Sequence, residues 1–427
     1  MTVSGQAVAS VLKVTGMVKR ALVFTCAGIL VLGWIAVLVK ARPLVPVIGA
    51  ALYDMVAPGG GAQKPIANAD LSGSGPGSLL EATTMPQVSR KWDARGLQAA
   101  RVVYRSTSGD DDKPTVVSGS VFIPDGPAPE GGWPVVSFGH GSIGIENKCG
   151  PSLSPDLFTH LRYVKVLTKL GYAVALADYQ GLGVKGIHPY LDSRTAGLNM
   201  IDAVRALRRT FPDVSDRWVA VGDSQGGGAA WAADEQAGGY APELKMLGAL
   251  AASPGPDMTG LVDKAQAGTL TPEQRSILFA AIESLARLHP DLNRDDFRQR
   301  AAAHYWNVLS SDCTPAALLR QGDAMKEIGP KDFTPRTPEA AAHLRQLLAQ
   351  WALPQKPLSA PLYVWYGGRD PYIDFEWTKA ALAKSCALGG VITIVFEPDG
   401  GHNPPDADQL VKWMTDRFAG KAPQNDC

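Results

Sequence analysis

The stretch RWVAVGDSQGGGAAWAAD, residues 217–234, decides how this chain folds. Its apolar beginning, 218–221, is typical of a short buried strand, and its alanine-rich second half favours a helix. Between them lies a sharp turn of the pattern G-x-S-x-G, in which Gly222 and Gly226 flank Ser224. Glycines permit a bend at which side chains would collide, and the serine hydroxyl is thereby held clear of the backbone.

A strand, a G-x-S-x-G turn and a helix in this order are typical of the nucleophile elbow of α/β hydrolases. In this interpretation Ser224 is a nucleophile, and the helix that follows points backbone N–H groups at the place where an oxyanion forms. The N–H of Gln225, the next residue, is predicted to be one of these donors. The alternative is a glycine-rich loop with an incidental serine.

Charge and composition restrict the classes of function. The 427 residues include 41 basic and 41 acidic side chains, so the net charge is zero and no nucleic acid partner is indicated. The hydrophobic content of 45% is that of an ordinary globular protein. No Cys/His spacing typical of a metal site is present, and we expect neither a metal nor a cofactor.

The N-terminus contains an apolar segment from Ala21 to Val39, which carries no charge over nineteen residues. As a helix it would be about 28 Å long, close to the ~30 Å core of a bilayer. We interpret it as an uncleaved signal anchor, with a cleaved signal peptide and a buried core helix as alternatives. The first two interpretations place the rest of the chain outside the cytosol, either anchored in the membrane or secreted.

Apolar periodicity predicts strands that alternate with helices over most of the remaining chain, which indicates a mostly parallel sheet with helices on both faces. The predicted strands are 99–107, 114–123, 134–138, 172–177, 218–221, 246–252, 361–366 and 391–397. The predicted helices are 155–170, 196–209, 272–288, 295–309, 315–327, 338–351 and 406–418.

This alternation suggests five segments. They are an anchor or signal segment (1–57), a linker (58–76), the first part of an α/β-hydrolase core (77–254), a helical cap or lid (255–353) and the second part of the core (354–427). The helical insertion is expected over the carboxyl edge of the strands, where ligands bind in open α/β sheets. A separate helical domain with a structural role is the alternative.

A serine nucleophile needs a base, and the base needs an orienting carboxylate. In this fold the chain order is serine, acid, histidine. His402 follows the last predicted strand in a glycine-rich loop, whereas the other downstream histidines, His289, His304 and His343, fall in the helical insertion. Asp370 follows the preceding strand after a short glycine turn, and Asp374 in the same loop is its rival.

A second oxyanion donor is expected from the loop after an early strand, Gly139-His140-Gly141-Ser142. We predict the backbone N–H of Ser142, with Gly141 as the alternative, because the glycines let the backbone approach a substrate closely. His140 is interpreted as a residue that holds this loop rather than as a base.

Several stretches together resemble a known family. HGSIGIENKCGPS at 140–152, GYAVALADYQGLG at 171–183 and PLYVWYGGRDPYI at 361–373 are similar in order and spacing to the secretory lipases of the yeast lipase A type and their bacterial relatives. So is the whole of 222–258. The resemblance covers about residue 77 to the end.

The resemblance implies a triad of Ser224, Asp370 and His402, a helical lid over an acyl-binding tunnel and hydrolysis of acyl esters. It also implies two disulfides, Cys149 with Cys313 and Cys386 with Cys427, both of which need an oxidising compartment. The chain departs from the family in two ways. Asp223 stands beside the nucleophile where tyrosine is frequent, and freely secreted members lack an anchor.

The sequence therefore predicts a serine ester hydrolase, a lipase or carboxylesterase acting on acylglycerols or other lipid esters through an acyl-enzyme. Two alternatives remain open. One is a different chemistry on the same fold, either a peptidase or an acyltransferase acting on cell-envelope lipids. The other is a binding module without catalysis.

Overall fold

A computed structural model describes residues 61–89 and 97–427. One nine-stranded sheet runs through this part of the chain, in the order β1-β2-β3-β5-β4-β6-β7-β8-β9. The strands are β1 Leu79–Thr84, β2 Gln98–Thr107, β3 Pro114–Ile123, β4 Trp133–Gly139, β5 Ala173–Ala177, β6 Val214–Asp223, β7 Lys245–Ala252, β8 Leu362–Gly367 and β9 Ile392–Glu397. The pairs β1-β2, β2-β3 and β3-β5 are antiparallel. The remaining pairs, β5-β4, β4-β6, β6-β7, β7-β8 and β8-β9, are parallel.

Eleven α-helices lie in the described residues. They are α1 Pro86–Ser89, α2 Leu161–Lys169, α3 Ser193–Thr210, α4 Gln225–Tyr240, α5 Gly260–Ala267, α6 Pro272–Leu288, α7 Arg300–Leu309, α8 Pro315–Glu327, α9 Pro338–Trp351, α10 Phe375–Ala387 and α11 Ala407–Phe418.

The helices cover both faces of the sheet because successive strand residues point to opposite sides. Val135 and Trp218 pack with α3 and α4 on one face, whereas their chain neighbours Val136 and Val219 pack with α2 and α11 on the other. Both sets are fully buried. The prediction of a mostly parallel sheet with a helix layer on each face is confirmed.

Two predicted helices are shorter than expected. The helix predicted at 155–170 begins only at Leu161, because Leu157, Phe158 and Thr159 all have positive φ and form turns. The helix predicted at 295–309 begins at Arg300, since the Asn293 side chain accepts a hydrogen bond from the Asp295 N–H and closes a separate 3₁₀ turn. Strand β1 and helices α1, α5 and α10 were not predicted.

The segment predicted as a linker, 58–76, contains residues that pair with the folded domain. The N–H of Ile66 donates to the Ala82 carbonyl at 3.0 Å, and the N–H of Asp70 donates to the Arg209 carbonyl at 2.8 Å. The side chains of Asp70 and Arg209 also form an ion pair. Sheet contacts therefore begin before Gly77, and the five segment boundaries stay predictions.

The apolar segment from Ala21 to Val39 lies outside the described residues. Among the helices within 61–89 and 97–427, none is long and apolar enough to cross a bilayer.

One of the two expected disulfides is confirmed and the other is not. Cys386 and Cys427 form a disulfide that links α10 to the C-terminus. The pairing of Cys149 with Cys313 is not formed: both are buried free thiols, and they are hydrogen bonded to each other. Two thiols that are hydrogen bonded to each other need no covalent bond to remain buried, because both side chains belong to one hydrophobic cluster with Leu182.

Helices α5 to α9 lie between β7 and β8 in the chain and form a hydrophobic cluster of their own. Buried members of this cluster include Leu278, Ile282, Trp306, Phe333 and Leu344. Trp306 also donates a hydrogen bond from its indole N–H to Glu283 at 2.8 Å. This helical segment therefore carries a core separate from the two faces of the sheet.

Two acidic residues of α4 hold the chain where it returns from the helical segment to β8. Asp234 Oδ1 accepts hydrogen bonds from the N–H groups of Ser359 and Ala360, at 2.9 and 2.8 Å. The neighbouring carboxylate of Glu235 accepts from the N–H of Gln355 at 2.9 Å. Burial raises the pKa of Asp234 to about 8 and that of Glu235 to about 7.

The raised pKa of Asp234 predicts that the stability of the protein depends on pH. Between about pH 4 and pH 8 the folded protein keeps this proton while the unfolded chain releases it, so the free energy of unfolding falls as pH rises through this range. Asp234→Asn keeps an oxygen for both backbone donors and cannot ionise. We expect the variant to gain stability relative to the wild type between pH 5 and pH 8.

Urea unfolding at several pH values measures this effect. Asp216→Asn, at an exposed position of β6, is the control and should follow the wild type. Equal pH dependence in the wild type and in Asp234→Asn would contradict the assignment.

Candidate active site

Ser224 occupies a strained position between β6, which ends at Asp223, and α4, which begins at Gln225. Its φ is 54° and its ψ is −121°, a conformation that L-residues rarely adopt. The Ser224 N–H donates to the Ala252 carbonyl at 2.9 Å, and its carbonyl accepts from the Gly228 N–H at 3.1 Å. The turn is thus tied to β7 on one side and to α4 on the other.

The glycines of the turn are required by backbone contacts. A Cβ on Gly222 would lie 2.0 Å from the Gly226 carbonyl oxygen, and a Cβ on Gly226 would lie 2.1 Å from the Gly139 carbonyl oxygen. Neither distance is sterically permitted. Because β4 pairs in parallel with β6, with Gly139 opposite Gly222, the loop after β4 reaches the turn at the same level of the sheet.

His402 and Asp370 are brought together by the loops after β9 and β8. His402 Nδ1 lies 2.7 Å from Asp370 Oδ2, and both side chains are largely buried. The other carboxylate oxygen of Asp370 accepts from the N–H groups of Tyr372 and Ile373, which fixes its orientation. Since the carboxylate accepts a hydrogen bond from Nδ1–H, the lone pair of the ring lies on Nε2.

Further contacts position the imidazole. The Ser253 hydroxyl, just beyond β7, donates to the backbone carbonyl of His402 at 2.6 Å. The Tyr372 ring lies against the imidazole, with 4.6 Å between the ring centroids. Neither contact was predicted, because both partners are ordinary loop residues whose proximity depends on the order of the strands.

The residues that were alternatives to Asp370 and His402 contact other partners. Asp374 accepts hydrogen bonds from Lys264 at 2.9 Å and from Gln274 at 2.6 Å. His289 lies 3.2 Å from Asp110, and His343 lies 3.1 Å from Asp291. The fourth downstream histidine, His304, packs edge-on against its neighbour Tyr305.

Ser224 and His402 line the same cavity, whose volume is about 520 Å³. Within the described residues, the Ser224 hydroxyl has no hydrogen-bond partner. In particular, it is not hydrogen bonded to the imidazole of His402. Hydrogen bonds between a nucleophile and its base are often long in the absence of substrate. The structure thus brings the three side chains to one place without closing the serine–histidine contact.

The loop after β4 is rigidly held beside Ser224. Buried His140 places Nδ1 2.7 Å from the Gly141 carbonyl and Nε2 3.2 Å from the Asp178 carbonyl. Burial lowers the pKa of His140 to about 3, so the ring is neutral and acts as a structural residue. The Ser142 hydroxyl is hydrogen bonded to the Tyr190 hydroxyl at 2.7 Å.

The three predicted oxyanion donors surround the nucleophile. Gln225 is the first residue of α4, so its N–H has no carbonyl partner within the helix. Gly141 and Ser142 line the cavity next to Ser224. The Gln225 side chain contacts His188 at 3.0 Å, which leaves the side chain outside the oxyanion position.

The cavity lies between the loops of the sheet and the helical segment. Its apolar wall comes mainly from α6, α7 and α8, through Ile277, Phe279, Leu309, Leu318 and Met325. The opposite wall carries the polar groups of the sheet loops. A cavity of this volume and composition is typical of sites for small organic ligands.

Known proteins resemble this chain in sequence and in structure. The family model of the secretory lipases matches residues 158–426, well over half of the chain. The chain belongs to the secretory lipase family.

Two curated relatives match over most of their length. A Mycobacterium tuberculosis protein described as a probable inactive lipase is 26% identical over 374 residues, which cover 81% of this chain and 79% of the relative. A secreted triacylglycerol lipase of Malassezia globosa is 21% identical over 356 residues, which cover 77% and 75%.

Solved structures establish the fold. Lipase A of Candida antarctica in its closed state superposes with a TM-score of 0.67 at 17% identity, covering 85% of this chain and 87% of that one. A cell wall degrading esterase of Xanthomonas oryzae superposes with a TM-score of 0.59 at 19% identity, covering 81% and 97%. This member of the secretory lipase family therefore has the α/β-hydrolase fold that its elbow predicts.

The close contact at the elbow predicts opposite effects for two glycines of α4. Gly226→Ala should destabilise the protein by about 1–3 kcal/mol, because the new methyl group overlaps the Gly139 carbonyl. Gly239→Ala, at an exposed position with no atom within 4 Å, should be neutral or stabilise it by up to about 1 kcal/mol.

Thermal and urea unfolding of the two variants measure the difference. Equal stability of the two variants would show that the elbow and the loop after β4 are not in contact.

Proposed function

We propose that this protein is a serine ester hydrolase that cleaves acyl esters of lipids, with Ser224 as the nucleophile. The observation that supports this most strongly is the 2.7 Å hydrogen bond between Asp370 and His402 in the cavity that Ser224 also lines. The strained backbone of Ser224 presents its hydroxyl to that cavity. Membership of the secretory lipase family supports the same reaction class.

The proposed reaction begins with a proton transfer. His402 Nε2 accepts the hydroxyl proton as Ser224 Oγ attacks the ester carbonyl carbon. Asp370, which accepts a hydrogen bond from Nδ1–H, stabilises the imidazolium that forms. His402 then gives the proton to the leaving alcohol, and water hydrolyses the acyl-enzyme by the same steps.

The proposed oxyanion hole consists of the backbone N–H groups of Gln225 and Ser142, with Gly141 as the alternative for the second donor. N–H groups that are held in place before the charge develops need no reorganisation during the reaction, so their hydrogen bonds to the oxyanion are effective. The rigid hold of His140 on the Gly141 carbonyl keeps this loop in place before substrate binds. Preorganisation of this kind is what stabilises a transition state.

The helical segment 255–353 is proposed to be the cap that binds the acyl chain. Helices α6 and α8 contribute apolar side chains to the cavity that a hydrocarbon chain can contact, namely Ile277, Phe279, Leu318 and Met325. The secreted triacylglycerol lipase of Malassezia globosa supports triacylglycerol as the substrate. The disulfide between Cys386 and Cys427 supports a location outside the cytosol, secreted or anchored.

The first test replaces the nucleophile. Ser224→Ala should reduce hydrolysis of p-nitrophenyl butyrate at least about 1,000-fold, because the acyl-enzyme cannot form. The variant should also lose labelling by a fluorophosphonate, which reacts only with an activated serine. Unfolding temperature is the control for the fold.

Two results would contradict the proposal. One is a Ser224→Ala variant that keeps most of its turnover. The other is a wild type that neither hydrolyses esters nor reacts with the fluorophosphonate. That result would favour a binding module, an alternative in line with the Mycobacterium tuberculosis relative described as a probable inactive lipase. Esters of increasing chain length, compared with aminoacyl amides, distinguish a lipase from a peptidase.

The second test separates the two acidic residues of the loop after β8. Asp370→Asn should lower kcat by about 10³–10⁴, because the amide holds the imidazole in the wrong tautomer. Asp374→Asn, which alters a carboxylate bonded to Lys264 and Gln274, is the matched control.

Steady-state rates on the same ester measure both variants. A loss in Asp374→Asn as large as that in Asp370→Asn would show that the loop, rather than the carboxylate of residue 370, controls the reaction.

A further inference from the structure

Asp223 places a carboxylate inside the reaction cavity, one residue before the nucleophile. A Cβ added to Gly141 would lie 3.0 Å from Asp223 Oδ2 and 3.7 Å from the Ser224 Cβ. A single methyl-sized group at that point would therefore touch both the carboxylate and the nucleophilic residue.

This carboxylate has no donor from another residue in the part of the chain that the structure describes. None of those side chains or backbone N–H groups outside Asp223 itself donates a hydrogen bond to it, and no ion pair involves it. Burial raises the pKa of Asp223, while His160, His402 and Arg162 nearby oppose that shift. The other buried aspartates of the core, among them Asp178 and Asp192, accept hydrogen bonds from serine or threonine.

A half-buried carboxylate without a donor from another residue is unfavourable as an anion, because its loss of hydration outweighs the attraction of the positive groups nearby. At a cavity wall, a bound ligand can supply the missing hydrogen bond. The position next to Ser224 means that such a ligand is the substrate itself, bound with its ester at the nucleophile. The unpaired acceptor thus points to a donor on the substrate.

The surrounding charges indicate a neutral donor. Arg162 already places a positive charge near the carboxylate, so an ammonium group would meet repulsion from it. A hydroxyl group would not. The nearby hydrogen-bonded hydroxyls of Ser142 and Tyr190 add further neutral partners on the same wall.

We propose that Asp223 is a specificity-determining residue that accepts a hydrogen bond from a hydroxyl group of the substrate, close to the scissile ester. The preferred substrates are then partially esterified polyols or hydroxy acid esters rather than plain alkyl esters. This inference rests on the proposed ester hydrolysis at Ser224. The hydroxyl also lies between the carboxylate and the oxyanion and weakens the repulsion between these two negative charges.

Matched ester pairs test this preference. 2-Hydroxyethyl butyrate is compared with propyl butyrate, and ethyl 3-hydroxybutyrate with ethyl 3-methylbutyrate, so that each pair differs by a hydroxyl in place of a methyl group on the alcohol or the acyl side. In the wild type we expect kcat/KM to favour the hydroxylated member of at least one pair by about 10–100-fold. In Asp223→Leu the ratio should fall below about 3.

Two further variants make the test specific. Asp223→Asn keeps an acceptor oxygen and the shape of the side chain, so it should retain an intermediate ratio. Asp312→Asn alters another carboxylate of the cavity wall, one that already accepts hydrogen bonds from Thr314, and should keep the wild-type ratio. Unfolding temperature shows whether each variant is folded.

The outcomes separate this inference from the proposed function. Equal rates within both pairs, in an enzyme that hydrolyses them all, would overturn the role of Asp223 and leave ester hydrolysis standing. A preference only for butyrylcholine over 3,3-dimethylbutyl butyrate, lost in Asp223→Leu, would show attraction of a cation and would also overturn the hydroxyl role. A wild type that hydrolyses no ester would overturn both proposals.

Discussion

The contact between the backbone at Gly139 and the backbone at Gly226 determines the geometry of the site. No side chain fits between these segments, since a Cβ on Gly226 would reach the Gly139 carbonyl. The contact follows from the parallel pairing of β4 with β6, in which Gly139 stands opposite Gly222. The loop that follows β4 and the first turn of α4 consequently lie side by side, and their N–H groups can face one point.

The same reasoning applies to the loops that carry the acid and the base. Gly367 ends β8 opposite Glu397 of β9, and a Cβ on Gly367 would lie 2.2 Å from the Gly401 carbonyl. The N–H of Arg369 donates to the Gly400 carbonyl at 2.8 Å, which joins the two loops directly. Their separation is therefore fixed by main-chain atoms, and the hydrogen bond between Asp370 and His402 does not depend on long flexible side chains.

Local signals in the sequence predict the ends of some elements well. Helices α6, α8 and α9 have the predicted bounds because a threonine precedes each of them and a proline is the first helical residue. The threonine hydroxyl accepts a hydrogen bond from the N–H of the third helical residue. Helix α10 lacked such a signal. The residue before it, Asp374, does not cap it, since its carboxylate binds Lys264 and Gln274, which are about a hundred residues away in the chain.

The candidate site divides in the same way. The order of the motifs along the chain and the ends of the strands can be seen in the sequence, and they suffice to select Ser224, Asp370 and His402 as candidates. The thiols of Cys149 and Cys313, in contrast, are close in space, but neither composition nor spacing states whether they are bonded. Likewise, the charge beside the nucleophile is visible in the sequence, whereas the absence of a donor for it is a property of the packed loops.

The two walls of the cavity have different physical roles. Apolar side chains of α6 and α8 offer contacts to the hydrocarbon part of a substrate. The loops of the sheet supply oriented N–H groups, an imidazole and the unpaired carboxylate of Asp223. A negative charge beside an oxyanion site opposes catalysis unless a bound group shields it. In the proposed reaction, the position of Asp223 therefore makes the rate depend on what the substrate carries next to its ester.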